Sequence, residues 1–208
     1  MPLYKSIAVN SQTNVKIWRI DESYEALIEP LSLKSESQVR VDGMKSGIHQ
    51  RGFLSVRHLL REFGYTDQDL YYDENGKPHL KDDKFISITH SFTFSAVIVS
   101  ESEVGIDIEK QREKIKIVAQ KFIGYENQYL MDEDPELVKK LTIIWCIKES
   151  LFKLFATPGL SFKMNTLVIP FMIEDAYTNA WIDYETRKLK YHTNFLEFEG
   201  FTCAYVTT

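Results

Sequence analysis

Strand-like and helix-like hydrophobic periods follow one another along this chain in an irregular order, and that order excludes most fold classes. Period-two alternation marks strands at Leu3–Val9 and Val15–Ile20. Residues 22–47 look helical but poorly patterned, with Gly43 and Gly47 as interruptions. Helical spacing sharpens over Ile48–Phe63, where Phe53, Leu54, Val56, Leu59, Leu60 and Phe63 recur on one face and Gly64 supplies a stop. Asp73-Glu74-Asn75-Gly76-Lys77-Pro78 is a turn signal. Strands are expected at Phe85–Thr89 and Phe94–Ser100, joined through His90-Ser91, and at Val104–Glu109. Helices follow around Ile115–Phe122 and from about Pro135 to Phe155, ended by Pro158-Gly159. The remainder reads as strand: Thr166–Ile169, Trp181–Tyr184, Leu189–Tyr191, Phe195–Phe198 and Thr202–Val206. This is not the regular βαβ alternation of a parallel doubly wound sheet, so the expected class is α+β. Two halves of similar content, residues 1–100 and 101–208, meet without a linker and are expected to be two subdomains.

Composition limits the partners. The 208 residues are 44% hydrophobic and 13% aromatic, enough for a sizeable core. Net charge is −5 and neither half carries a basic excess, which argues against a non-specific nucleic-acid surface. Cys146 and Cys203 are too few and too far apart for a zinc site or a disulfide framework, and Cys146 reads as a reduced core residue. The opening Met-Pro-Leu-Tyr-Lys-Ser lacks a signal-peptide core, and no run approaches the roughly 18 apolar residues of a membrane span. The expectation is a cytoplasmic protein with no membrane and no nucleic-acid partner.

Three constellations carry chemistry. In Gly105-Ile106-Asp107-Ile108-Glu109, strand alternation puts Asp107 and Glu109 on one side and the isoleucines on the other. Two carboxylates so placed are hard-oxygen ligands for Mg²⁺, although a solvated acidic face has the same pattern. In Trp145-Cys146-Ile147-Lys148-Glu149-Ser150-Leu151-Phe152-Lys153, helical spacing lines up Trp145, Glu149 and Lys153 on one stripe. An ordinary exposed ion pair would look alike, but the indole one turn earlier suggests that this stripe meets something other than bulk water. Lys148 points about 100° away from that stripe and is the lesser candidate. The third, Ile86 to Ser91, ends in a polar cluster in which His90 could meet a phosphate oxygen; a loop histidine without a ligand is the plainer reading. The helix from Arg51 to Arg57 could add a phosphate contact. Residue chemistry thus reaches Mg²⁺-dependent chemistry on a phosphate ester or anhydride.

Those runs resemble the paired motifs of the 4′-phosphopantetheinyl transferase superfamily, G-[IV]-D-[IVL]-E and W-x-x-K-E-[AS]-x-x-K. Ile86–Ser91 is similar to its S-I-S-H-S segment, Gly76-Lys77-Pro78 to its G-K-P turn, and Arg51 to Arg57 to its R-x-x-L-x-x-R helix. The length resembles the larger, surfactin-synthetase-activating type. That resemblance implies a monomeric pseudo-dimer of two α+β halves, each of helices packed on a small antiparallel sheet, with the active site between them. It implies a nucleotide-side half at 1–100 and a half with the metal and transfer residues at 101–208. The implied reaction is transfer of the 4′-phosphopantetheine arm of coenzyme A to a serine of an acyl or peptidyl carrier protein, releasing adenosine 3′,5′-bisphosphate. Asp107, Glu109 and Glu149 would hold Mg²⁺, and Lys153 would neutralise the pyrophosphate. His90 with Thr89 would bind a phosphate, Gly76, Lys77 and Pro78 would line the adenine pocket, and Arg51 would reach the 3′-phosphate. Glu149 is the candidate base, directly or through a metal-bound water; Asp107, Glu149 and Lys153 form the catalytic set.

The chain departs from the pattern in places. Where the family has K-x-x-G-x-G-L, it reads Lys153-Leu154-Phe155-Ala156-Thr157-Pro158-Gly159-Leu160. Thr89 replaces a serine before the histidine, and Lys34, Arg40 and Lys45 are the basic residues ahead of the arginine helix. Lys110, Arg112, Lys114, Lys116 and Lys121 are either a docking face for an acidic carrier or a solvated helix face. Two other readings remain: a Mg²⁺-dependent phosphohydrolase of nucleotides or coenzyme A, and a silent carrier-binding module.

Overall fold

The computed structural model describes residues 3–208. Its tertiary contacts gather into two units, one ending at Glu103 and the other spanning Val104–Thr208.

The first unit contains β1 (Leu3–Ala8), β2 (Asn14–Arg19), α1 (Tyr24–Ile28), α2 (Ser35–Asp42), α3 (Gly47–Glu62), β3 (Leu70–Tyr72), β4 (Pro78–Leu80), β5 (Phe85–Ser91) and β6 (Phe94–Ser100). Four strands form an antiparallel sheet in the order β1-β2-β6-β5, and β3–β4 is a separate hairpin. The apolar face of α3 packs on β2, β5 and β6, burying Val56, Leu59 and Leu60 with Ile86, Val97 and Val99. That face is the one its helical spacing specifies. The helix stops at Gly64, whose φ of +86° suits glycine; its N–H donates to the Arg61 carbonyl, and the Tyr65 N–H reaches back to Leu60.

The second unit contains β7 (Val104–Lys110), α4 (Lys114–Val118), α5 (Leu137–Phe155), α6 (Phe162–Asn165), β8 (Thr166–Val168), β9 (Tyr177–Tyr184), β10 (Arg187–Phe198) and β11 (Phe201–Thr207). Its antiparallel sheet runs β7-β11-β10-β9-β8, and α5 lies across β7 and β11. Burial of Leu141, Ile144, Ile147 and Leu151 against Val168, Ala180, Ala204 and Val206 builds its core. Each unit taken by itself has a common plan: a strand precedes the long helix and pairs with the last strand, which pairs with the strand before it (β2-β6-β5 and β7-β11-β10). The α+β class holds, with antiparallel pairing throughout the described sheets.

Several boundaries differ from those expected. Leu189–Tyr191 and Phe195–Phe198 are parts of one strand, β10. The polar Thr193 between them is fully buried and donates to the Thr178 carbonyl at 2.9 Å, so a hydroxyl occupies an inward position. His90 and Ser91 belong to β5, and the chain reverses at Phe92-Thr93, with Phe92 at φ +51°. The expected helix over 115–122 is α4 followed by a 3₁₀ turn at Ala119–Lys121. Cys146 and Cys203 are both buried free thiols. No helix of the described residues is long and apolar enough to cross a membrane.

Candidate active site

The crossing of α5 over β7 depends on Gly105. A Cβ there would lie 1.8 Å from the Ser150 carbonyl oxygen, so only glycine lets helix and strand backbones meet this closely. Two residues along β7, on the same face, Asp107 comes under the helix and is 6% exposed. From Leu141 to Lys153, the residues of α5 that reach solvent are Trp145, Glu149, Phe152 and Lys153. The stripe expected from spacing is therefore the accessible edge of an otherwise buried helix.

Lys153 joins the two elements. Its Nζ donates to Asp107 Oδ1 at 2.7 Å and to the Ile106 carbonyl at 2.9 Å. Asp107 Oδ2 is buried and makes no hydrogen bond. Burial pushes the Glu149 carboxyl up to about 7; Asp107 and then Glu109 add to the rise, and Lys153 opposes it. Crowded carboxylates of this kind are relieved by a divalent cation, and all their donors are hard oxygens, so Asp107, Glu109 and Glu149 fit Mg²⁺ by charge and donor type. Among the described residues, no three His, Cys, Asp or Glu side chains already form a metal-holding group.

Beside these carboxylates, a groove of about 200 Å³ is lined by Glu109, Lys110, Arg112, Lys114, Ile115 and Trp145, among others. Trp145 is packed edge-on to Phe122, with centroids 5.0 Å apart, and lies 5.6 Å from Phe162, which in turn lies 5.6 Å from Phe152.

Lys148 does not join the stripe. It is fully buried, and its Nζ donates to the carbonyls of Phe122 (2.8 Å), Phe162 (3.0 Å) and Thr166 (3.0 Å) while pairing with Glu126 at 2.8 Å. Glu126 accepts in addition from the Val168 and Gly124 N–H groups. Burial pushes the Lys148 ammonium down in pKa, and Glu126 pulls it back. Sequence reading overlooked Glu126. The available signal was that Lys148 shares the apolar stripe of Leu141, Ile144 and Leu151.

In the first unit, His90 is exposed on β5 and its ring lies against α3 at Gly52, where a Cβ would come within 2.9 Å of Nδ1. His49, which the sequence reading did not single out, has its ring centroid 6.1 Å from that of His90. Arg51 is half-buried and reaches the Gly47 and Glu22 carbonyls through long contacts of 3.4 and 3.5 Å. Thr89 is buried and projects to the opposite face of β5, so its hydroxyl does not share the face of His90. Arg57, on the same helix as Arg51, is turned inward. It is 2% exposed, donates to Asp67 Oδ1 at 2.9 Å and stacks over Phe53. Lys34 donates to the Leu70 carbonyl, and Arg40 lies over Phe53 and Tyr72. The Gly76-Lys77-Pro78 turn is held by Asp73, whose Oδ1 accepts from the Asn75 and Lys77 N–H groups at 2.9 Å each, with Gly76 at φ +81°.

Comparison with known proteins bears on this arrangement. The family model described as the 4′-phosphopantetheinyl transferase superfamily matches residues 103–206. The chain is similar to the 4′-phosphopantetheinyl transferase gsp of Aneurinibacillus migulanus, 28% identical over 180 residues, or 82% of this chain and 73% of that protein. It is similar also to enterobactin synthase component D of Salmonella typhimurium, 29% identical over 130 residues, or 61% of this chain and 55% of that protein.

Proposed function

The chain belongs to the 4′-phosphopantetheinyl transferase superfamily, and on that premise we propose that it moves the 4′-phosphopantetheine arm of coenzyme A onto a serine hydroxyl of an acyl or peptidyl carrier protein. The observation that carries this reading is the Lys153–Asp107 contact at 2.7 Å beside a half-buried Glu149. The serine oxygen attacks the phosphorus that bears the pantetheine arm. As that P–O bond forms, the bond from the same phosphorus to the bridging oxygen breaks, and adenosine 3′,5′-bisphosphate departs with the bonding pair.

Glu149 is the candidate base for the proton that the serine loses; the rise of its carboxyl to about 7 belongs to the metal-free site, and a cation held by the same carboxylate would lower it. Lys153 neutralises charge that develops on the pyrophosphate and the leaving bisphosphate. Asp107, Glu109 and Glu149 would hold Mg²⁺, which when bound supplies further neutralisation of those oxygens. In the first unit, Gly76, Lys77 and Pro78 are assigned to the adenine, His90 to a phosphate and Arg51 to the 3′-phosphate.

The groove beside Glu109 is assigned to the carrier. Lys110, Arg112 and Lys114 offer positive charge while Ile115 and Trp145 offer apolar surface, a combination that suits an acidic partner despite the chain's net charge of −5.

The test is the intact mass of an apo acyl carrier protein after incubation with this protein, coenzyme A and Mg²⁺. The expected result is a gain of one phosphopantetheine, abolished by EDTA and by replacing the carrier serine with alanine. Coenzyme A consumed while carriers stay apo would point to the phosphohydrolase. Coenzyme A and several carriers all unchanged would point to the silent binding module.

A further inference from the structure

Lys148 is fully buried, although it neighbours Glu149 in sequence on α5. Four oxygens surround its ammonium, three of them backbone carbonyls from two separate segments, Phe122 in one and Phe162 and Thr166 in the other. Two of those carbonyls belong to Phe122 and Phe162, whose rings flank Trp145 at 5.0 and 5.6 Å. Trp145 in turn lines the groove that contains Glu109 and the basic residues. Glu126 closes the network by accepting from Lys148, from the Val168 N–H at 2.8 Å and from the Gly124 N–H at 3.0 Å. Gly124 is itself pressed against α6, for a Cβ there would come within 2.4 Å of the Lys163 carbonyl oxygen.

A buried ammonium with this set of acceptors is costly unless every contact is made, so it tolerates few alternative arrangements of the segments it holds. We propose that Lys148 is a positioning residue for the transfer: with Glu126, it fixes the backbones of Phe122 and Phe162, thereby sets Trp145 in the groove wall, and so governs how the acceptor is presented to Glu149. The acceptor half of this inference rests on the reading that the groove receives the carrier.

The test compares wild type with Glu126→Gln and with the double variant Lys148→Met/Glu126→Gln, which removes both buried charges together and so does not depend on Lys148→Met folding alone. The full chain is labelled with 5-fluorotryptophan, and the Trp145 resonance is assigned by its loss in Trp145→Phe. In folded variants the Trp145 resonance should shift or broaden while those of Trp18 and Trp181 stay. Carrier modification should fall about 10- to 100-fold, the scale for an acceptor misplaced by an ångström or so, with coenzyme A affinity held. A folded double variant with an unmoved Trp145 resonance overturns the proposal, whether turnover is full or falls only in step with melting temperature. A moved resonance with wild-type turnover overturns the acceptor half. A wild type that modifies no carrier overturns the transfer reading on which the acceptor half rests, and the resonance still decides whether Lys148 sets Trp145.

Discussion

Lys153 Nζ stands 2.7 Å from Asp107 Oδ1 and 2.9 Å from the Ile106 carbonyl, so one ammonium ties the last turns of α5 to the middle of β7. The contact joins residues separated by 46 positions in sequence. It keeps a cation beside a carboxylate whose side chain is 8% exposed.

Replacing Lys153 by methionine should therefore lower transfer about 10²- to 10³-fold, the usual scale for removing one group that stabilises developing oxyanion charge. Coenzyme A and carrier concentrations would be saturating, and the rate read from carrier mass. A Lys153→Met protein that retains its rate would remove Lys153 from the proposed machinery.

Gly105→Ala should damage fold and site together. Its Cβ would need the space 1.8 Å from the Ser150 carbonyl oxygen, so α5 must lift from β7. A loss of about 3 kcal/mol, near the upper end for overpacking, corresponds to roughly 6–12 °C in melting temperature for a chain of this size. Thermal melts of the two proteins decide it.

Ala156→Gly should stabilise. Ala156 caps α5 at φ 47°, ψ 38°, a left-handed conformation that costs an L-residue with a Cβ about 1 kcal/mol relative to glycine. Melting temperature should rise by about 2–4 °C, with activity unchanged. The same conformation explains the glycine in the K-x-x-G pattern, since position 156 closes the helix wherever the chain turns left-handed.

The Glu149 carboxyl, raised from 4.5 to about 7, binds its proton more tightly in the folded chain than in the unfolded one. In metal-free protein its contribution to stability is intact below about pH 4.5 and declines as pH rises towards 7. Mg²⁺ acts on the ionised carboxylate, so its stabilising effect should grow across the upper part of that window. Melting temperatures in EDTA and in Mg²⁺ across the range test this, with Glu149→Gln expected to flatten both the pH slope in EDTA and the Mg²⁺ response. A Glu149→Gln protein with an undiminished slope and response would refute it.

Charge reversal at the groove should weaken binding of the carrier. Arg112→Glu with Lys114→Glu is expected to raise KM for the carrier roughly tenfold or more at low salt, with the difference shrinking as salt is added. An unchanged KM for the carrier at both ionic strengths would remove the groove from carrier docking. Steady-state kinetics at two ionic strengths separate the cases.

The strongest periodic segments were legible before any coordinates. The apolar spacing of Ile48–Phe63 became α3, and the alternation of Val104–Glu109 became the first strand of the second unit. The stripe of Trp145, Glu149 and Lys153 became the accessible edge of α5. Local pattern suffices there because burial repeats with the period of the element. It fails at β10, where buried Thr193 looks polar and splits one strand into two, and at β5, where polar His90 reads as part of the connection.

What the sequence alone determined was the kind of chemistry and the class of fold: acidic residues on a strand, a carboxylate and an ammonium on a helix, and antiparallel α+β order. Tertiary structure decided which charges are available for that chemistry. In sequence Arg57 is a charge on the same helix as Arg51, and Lys148 is the lesser candidate beside Lys153; in the fold Arg57 is held by Asp67 and Lys148 by Glu126, each nearly or fully buried. Lys153, by contrast, meets Asp107 with more than a quarter of its side chain exposed. The physical reason is that a charge takes its role from the partners and solvent around it. Those partners lie 10 to 46 residues away, where only the folded chain can bring them within hydrogen-bond reach.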